Sequence, residues 1–406
     1  MNPFAALADP QRRNVAVLAM AQAMFMSVQG MAIAATPLAA HMLLGADQKW
    51  LATAPVFLVH LGIMGTTIPA SLLMGMIGRR AGFSLGAVLG IVSGIVGCIA
   101  LYWHSFPLMC VSAVLQGMQA AFCWYFRLAA ADATEPNFKA KAISLVMAGG
   151  VLAGLIGPQV AKWSVDWLAP VTFAGVYVAM TAFSAAMLAL VQLVRIPRLS
   201  AAERAEQGRP MSEIARQPAY RVALCSSVFG YAVMTLTMSA TPLAMLACGF
   251  NFNDSATVIQ AHIVAMFLPS FFTGALINRF GVLPIIAAGG LIEVGCALVN
   301  LAGIEFAHFL IANMLVGVGW NFAYVGGSTL LTSTYTPAER AKVQASHDFT
   351  VYAATASAAA LSGVLAAKAG WVVINLAALP LMAAVVGAAV WLMVHQRRAA
   401  QVAPAE

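Results

Sequence analysis

Apolar stretches of about 20 residues recur twelve times along this chain of 406 residues, separated by short polar breaks. A helix of ~20 residues spans the roughly 30 Å hydrocarbon core of a bilayer, at about 1.5 Å per residue. Without water to satisfy free N–H and C=O groups, such a stretch is held to helix. The stretches are 14–40, 51–74, 82–102, 107–131, 142–165, 170–194, 219–246, 255–278, 282–303, 307–333, 343–367 and 371–394, counted here as spans 1 to 12. Composition agrees, with 62% apolar residues, 9% charged and a mean hydropathy of +0.87. A soluble domain carries about 25% charged residues to cover its surface. The chain is therefore expected to be an integral, all-α membrane protein. A secreted enzyme, a DNA-binding module and a disordered scaffold are excluded together.

The basic residues sort by side. Of 21 Lys and Arg, 17 fall on the side that holds both termini and the long central connection; Lys49, Lys162 and Lys368 fall on the other, and Arg127 lies inside a span. Positive residues stay on the cytoplasmic face, so both termini are expected in the cytoplasm, with a bacterial inner (plasma) membrane as the location. The net charge of +7 is then a topology signal, not a nucleic-acid patch. The long polar connection divides six spans from six. The expected organisation is a first bundle over 1–194, a cytoplasmic linker over 195–218 and a second bundle over 219–406. The six cysteines stand singly, which argues against a metal site or a disulfide framework. No metal and no cofactor is expected.

The two halves repeat each other. Gly75-Met-Ile-Gly-Arg79-Arg80-Ala-Gly82 follows span 2, and Gly274-Ala-Leu-Ile-Asn278-Arg279-Phe-Gly281 follows span 8, an offset of 199. Lys139-Ala-Lys opens span 5 and Arg340-Ala-Lys opens span 11, an offset of 201, while Gly117 and Gly317 differ by 200. Six spans per copy give both copies one orientation, the arrangement of parallel repeats that bind solute at their interface near the midplane.

These residues resemble the major facilitator superfamily of secondary transporters over 14–394. The family's loop signature, G-x-L-x-D-R-x-G-R-R/K, is met in part by Gly75, Ile77, Arg80 and Gly82, and more fully by Gly274, Leu276, Arg279 and Gly281. Arg79 and Asn278 stand where the signature has Asp. Gln116-Gly117 and Ala120 echo the helix-4 motif, with Ala113 in place of its Arg; Gly157-Pro158 echoes the antiporter-associated motif of helix 5. The resemblance implies two six-helix bundles that rock about a central site, with Gly75, Arg79, Arg80, Gly82, Gly274, Asn278, Arg279 and Gly281 at the gate. Glycine lets helices and a tight loop approach closely, and arginine ties helix ends by charge and hydrogen bonds. Arg79 and Arg80 are expected either to pair with Asp132 or Asp348 when the cytoplasmic side is shut, or to serve as positive-inside anchors.

Charged residues within spans are costly and mark functional candidates. Arg127, Asp132, Asp348 and Glu293 are expected coupling residues, with His60 as a proton relay roughly 13 Å below the outer surface and His262 at a comparable depth. Arg127 alternatively snorkels to the cytoplasmic surface. Gln116, Gln119, Cys123 and Arg127 read as one stripe of span 4. Gln22 and Gln29 share a face of span 1; Tyr231 lies in span 7, and Trp320, Asn321 and Tyr324 in span 10. Gln22, Gln29, Gln116, Gln119, Tyr231, Trp320, Asn321 and Tyr324 form the expected solute pocket: amides with Tyr and Trp both hydrogen-bond and stack on a planar or amphipathic molecule. Pro37, Pro55, Pro69, Pro158, Pro242 and Pro269 lie in or near spans, where neighbours satisfy the carbonyls they free.

No G-x-x-x-x-G-K-[ST] and no soluble stretch longer than about 25 residues is present, so ATP-driven pumping in this chain is excluded; a membrane-embedded enzyme would need a clustered motif such as H-E-x-x-H, and the sequence has none. The expected activity is alternating-access transport of a small organic solute, coupled to protons, by a lipid-embedded monomer that binds no nucleic acid. Efflux is favoured over uptake; a facilitator or uptake permease for a nutrient or metal-chelate is the alternative, and a non-transporting sensor on the same fold a third.

Overall fold

The computed structural model describes residues 9–135, 139–195, 208–336 and 339–402, and among these the chain is helical throughout. The helices are α1 (Pro10–Leu43), α2 (Ala54–Ile77), α3 (Arg79–Tyr102), α4a (Phe106–Cys123) with α4b (Phe126–Asp132), α5 (Lys139–Ser164) and α6 (Ala174–Val191). The second half has α7 (Pro218–Ala247), α8a (Phe252–Phe267) with α8b (Ser270–Phe280), α9 (Val282–Ala302), α10 (Phe306–Thr332), α11 (Arg340–Lys368) and α12 (Gly370–Val402). Eleven are long and apolar enough to cross a membrane singly; α8a and α8b do so as a pair bent by 42°. Each stretch marked in the sequence thus falls on one helix or one broken helix.

Local chemistry sets the ends. Proline opens α1, α2, α4a and α7 within the first turn, where its missing N–H leaves no bond unmade. Asn251 and Asp254 cap α8a reciprocally. The break in α8 follows Pro269, which cannot donate to the preceding turn. Asn321 of α10 braces it, donating to the Met266 carbonyl at 2.8 Å and to Ser270 Oγ at 2.6 Å, and accepting from Thr273 Oγ1 at 2.7 Å.

Packing repeats between the halves. In the first, α1 lies on α5 and α6, α2 and α3 lie on α4a, and α3 lies on α6; in the second, α7 lies on α11 and α12, α8a and α9 lie on α10, and α9 lies on α12. Between halves, α5 packs on α8a and α2 on α11. Glycine permits the closest crossings: a Cβ on Gly117 would come within 2.1 Å of the Val59 carbonyl, and one on Gly317 within 2.8 Å of the His262 carbonyl. Equivalent positions of α2 and α8 are therefore 203 apart, which also relates Gly78 (φ 92°, ψ 159°) to Gly281 (φ 90°, ψ 159°).

That register corrects the loop alignment drawn from sequence. Gly82, matched there with Gly281, sits one turn inside α3 with its Cα against Met74; the turn glycine is Gly78. Arg79 and Arg80 then begin α3, in the place of the signature's closing basic pair, while Asn278 and Arg279 end α8b. Glycines are frequent in apolar helices, so a string match can slide by a turn. Positive φ, which L side chains avoid, separates the loop glycine from the packing glycine.

The described hydrogen bonds that cross between halves all lie at the end remote from Arg79 and Arg279. Thr53 Oγ1 donates to the Ala359 carbonyl at 2.8 Å, Lys162 Nζ to Thr257 Oγ1 at 2.6 Å, and Gln260 Nε2 to the Leu155 carbonyl at 3.0 Å. At the basic end, the stretch after residue 208 docks on the connection between α10 and α11. Arg209 grips the buried Glu339 carboxylate through Nε and Nη2, both at 2.8 Å, and through its backbone N–H at 2.7 Å. Residues 196–207 of the expected linker lie outside the described residues.

Candidate functional site

A cavity lies between the halves, lined by residues of both. Its polar lining comes from α1 (Gln29), α2 (His60), α4a (Gln116), α7 (Tyr231) and α8a (His262), with Trp124 beside them; Met and Ile side chains fill much of the rest. Gln116 Nε2 donates to Gln29 Oε1 at 2.8 Å, so two amides of the first half form one polar wall. From the second half Tyr231 reaches the cavity, and a cluster of rings backs it from outside the lining. Tyr231 meets Trp320 and Tyr324 edge-on, each at 5.4 Å, and Tyr352 of α11 at 6.4 Å. Trp320 and Tyr324 stack at 5.0 Å with 9° between their planes. Arg127 of α4b, half-buried, stands within electrostatic reach of Tyr231, Tyr324 and Tyr352; Asp348 does so for Tyr324 and Tyr352. Cation and carboxylate thus approach one tyrosine cluster from opposite halves.

Other candidates from the sequence lie elsewhere. Gln119 is fully buried against Gly90 of α3 and donates to Ser184 Oγ of α6 at 3.3 Å. Cys123 also faces α6, through Met187 at 3.9 Å. The expected stripe on span 4 is therefore divided: Gln116 turns to α1, Gln119 and Cys123 turn to α6, and a break at Trp124–Tyr125 re-aims Arg127. Gln22 is buried beside Gly149 of α5, outside the cavity lining. Asn321 has both amide groups engaged by the α8 break. Glu293 is fully buried among Gly319, Gly230 and α9, with neither carboxyl oxygen hydrogen-bonded among the described residues. Asp348 accepts from its neighbour His347 at 3.0 Å. Asp132 ends α4b, and its side chain lies outside the described residues.

At the basic end, Arg80 donates to Gln192 Oε1 of the segment after α6 at 3.2 Å and 3.3 Å, and Arg79 lies over the Tyr125 ring at 5.5 Å. Gly75 and Gly274 are exposed, as is Asn278, and Arg279 lies over Phe280 at 5.2 Å. Sequence reasoning missed Tyr352, Trp124 and the Arg209–Glu339 clamp. Tyr352 is four residues beyond Asp348, one helical turn, and that spacing was the available signal.

Two like-built bundles of six helices, joined at one end around a cavity that paired amides and Tyr231 line, define a membrane transporter made by internal repetition. The chain belongs to the Major Facilitator Superfamily, whose family model matches residues 15–299. It is an integral membrane transporter and not an enzyme. It is 36% identical to the riboflavin transporter RfnT of Brucella anthropi over 380 residues, which cover 93% of this chain and 95% of that protein. It is 27% identical to the uncharacterized MFS-type transporter YddS of Bacillus subtilis, over 79% of each chain. In fold it is similar to the superfamily transporter FucP in the outward conformation, with a TM-score of 0.63, 14% identity and coverage of 94% of this chain and 99% of that one. It is likewise similar to the human organic anion transporter MFSD10, with a TM-score of 0.67, 13% identity and coverage of 94% and 100%.

Proposed function

We propose that this protein carries riboflavin, or a close flavin, across a bacterial inner membrane by alternating access. The observation that carries the reading is the asymmetric cavity, with paired amides of α1 and α4a on one side and, on the other, Tyr231 backed by Trp320 and Tyr324. A flavin ring is planar, aromatic and edged with hydrogen-bonding groups, which suits one wall for stacking and the other for edge bonds. The likeness to a riboflavin transporter over nearly the whole of both chains supports the same solute class.

A flavin is a nutrient rather than an amphipathic toxin, so this reading takes uptake in place of the efflux favoured from the sequence. Bundles 1–194 and 219–406 tilt about the cavity, with the linker 195–218 and both termini in the cytoplasm; the crossing bonds at the remote end then make this an inward-facing form. Gln29, Gln116, Tyr231, Trp320 and Tyr324 bind the solute. Arg127 and Asp348 meet across the tyrosine cluster as the cytoplasmic side closes, and the proton gradient drives transport through an in-span carboxyl, Asp348 before Glu293. The glycine turns at Gly78 and Gly281, with Arg79, Arg80 and Arg279, flex at the gate. The chain works as a monomer in lipid.

Proteoliposomes and whole cells test this together. Riboflavin is expected to accumulate in cells carrying the protein, faster with an inward proton gradient. Absence of riboflavin flux in both systems overturns the reading. Accumulation confined to energised inverted vesicles establishes export instead.

A further inference from the structure

Two histidines line the cavity, one from each half, and the proposed stacking and amide walls use neither. In the register set by the glycine crossings, Val59 corresponds to His262 and His60 to Ile263. All four line the cavity, so each half supplies one histidine and one aliphatic residue at the same two positions, in opposite order. Each imidazole is anchored in the same way. His60 Nδ1 is 2.9 Å from the Val56 carbonyl one turn earlier in α2, and His262 Nδ1 is 2.8 Å from the Asn313 carbonyl of α10. A carbonyl only accepts, so Nδ1 carries the proton in both rings, and the neutral ring leaves Nε2 as a bare acceptor. His262 is fully buried, and its Nε2 has no hydrogen-bond partner among the described residues. A buried acceptor left unmade costs free energy that an incoming donor recovers.

We propose that His60 Nε2 and His262 Nε2 accept hydrogen bonds from the hydroxyl chain of the carried solute, while its ring lies toward Trp124 and Tyr231. This assigns both residues to solute selection rather than to a proton relay, and it rests on the riboflavin-class reading. Chemistry decides the donor. The cavity offers no fixed charge beside these rings, and a polyol supplies several neutral O–H donors on a flexible stem, suited to acceptors that line one cavity from two halves. Because the acceptors belong to different halves, a solute that engages both links the halves through its chain.

The test compares riboflavin with lumiflavin, the same ring bearing a methyl group in place of the polyol, as competing solutes in proteoliposomes of the full chain. In His262→Leu the KM for riboflavin rises roughly fivefold, the effect of one neutral hydrogen bond, while inhibition by lumiflavin moves less than about twofold. His262→Gln, which restores an acceptor at similar reach, recovers part of the loss. His60→Leu gives the same split, and it carries the test alone should His262→Leu fail to purify as a monodisperse protein, since the His60 anchor lies within its own helix. Equal shifts for riboflavin and lumiflavin overturn the inference, as does loss of proton-gradient dependence with the split absent. Absence of riboflavin flux in the unsubstituted protein overturns the transport reading as well, so the two failures are distinguishable.

Discussion

The first half faces the cavity with amides, Gln29 bonded to Gln116; the second faces it with Tyr231, backed by Trp320 and Tyr324. Yet the two are packed alike, down to Gly117 on α2 and Gly317 on α8a. Helix crossings within lipid depend on small residues at a few contact points, so duplicated bundles keep those points. Side chains that line the hollow are not held by those crossing points and can diverge. Internal symmetry is therefore a property of packing here, and function lies in its violation.

The sharpest way to break the shared packing is at the glycines. Gly117→Leu drives a side chain into the Val59 carbonyl, and the expected result is loss of folded protein, read by monodispersity in detergent. Gly317→Ala meets its neighbour at 2.8 Å rather than 2.1 Å and is expected to lower stability by only ~1–3 kcal/mol, read as a shift in Tm. Equal loss from alanine at both sites would deny that the crossing at Gly117 is the tighter of the two.

The divergent walls are separated next. Trp320→Ala removes the central ring and is expected to raise the riboflavin KM about tenfold or more, within the range for losing an aromatic stacking partner, while Trp320→Phe retains most of the function. Gln116→Ala on the opposite wall is expected to cost about fivefold in KM, the effect of one neutral hydrogen bond. An amide effect exceeding the aromatic one would reverse the assignment of the walls.

The smallest effect contrasts the loops at the basic end. In the first half, Glu135 and Gln11 exchange exposed hydrogen bonds at 3.2 Å and 3.3 Å; in the second, Arg209 and the Thr336 N–H hold the Glu339 carboxyl far below the usual carboxylate range. A depressed folded pKa contributes stability above the ordinary value of about 4.3 and loses it as pH falls further, through the folded value. Tm is thus expected to drop between neutral pH and about pH 3 more steeply in the native protein than in Glu339→Gln, because the amide has no proton to take up.

Much of the fold was legible from the chain alone. Twelve runs of apolar residues cannot avoid becoming helices in a bilayer, because every backbone group must bond within its own segment. Gly117 and Gly317 were recognisable as counterparts for the same reason, since a repeat conserves its contact points. The site was legible only in part. Gln29, Gln116 and Tyr231 reach the cavity, but Gln119 and Asn321, equally polar and equally deep, turn into helix seams. Helical spacing states which residues share a face and not which neighbour that face meets.

What the sequence determined was the number of spans, their helical state, the duplication and the separation of basic from neutral ends. These follow from the local hydrogen-bonding demand of the backbone and from the placement of charge. What only the tertiary structure decided was the loop register, in which Gly78 and not Gly82 makes the turn, together with the use of Asn321 at the α8 break and the placing of two anchored histidines on one cavity. Each depends on which helix stands opposite, and that is settled by close packing among residues hundreds of positions apart.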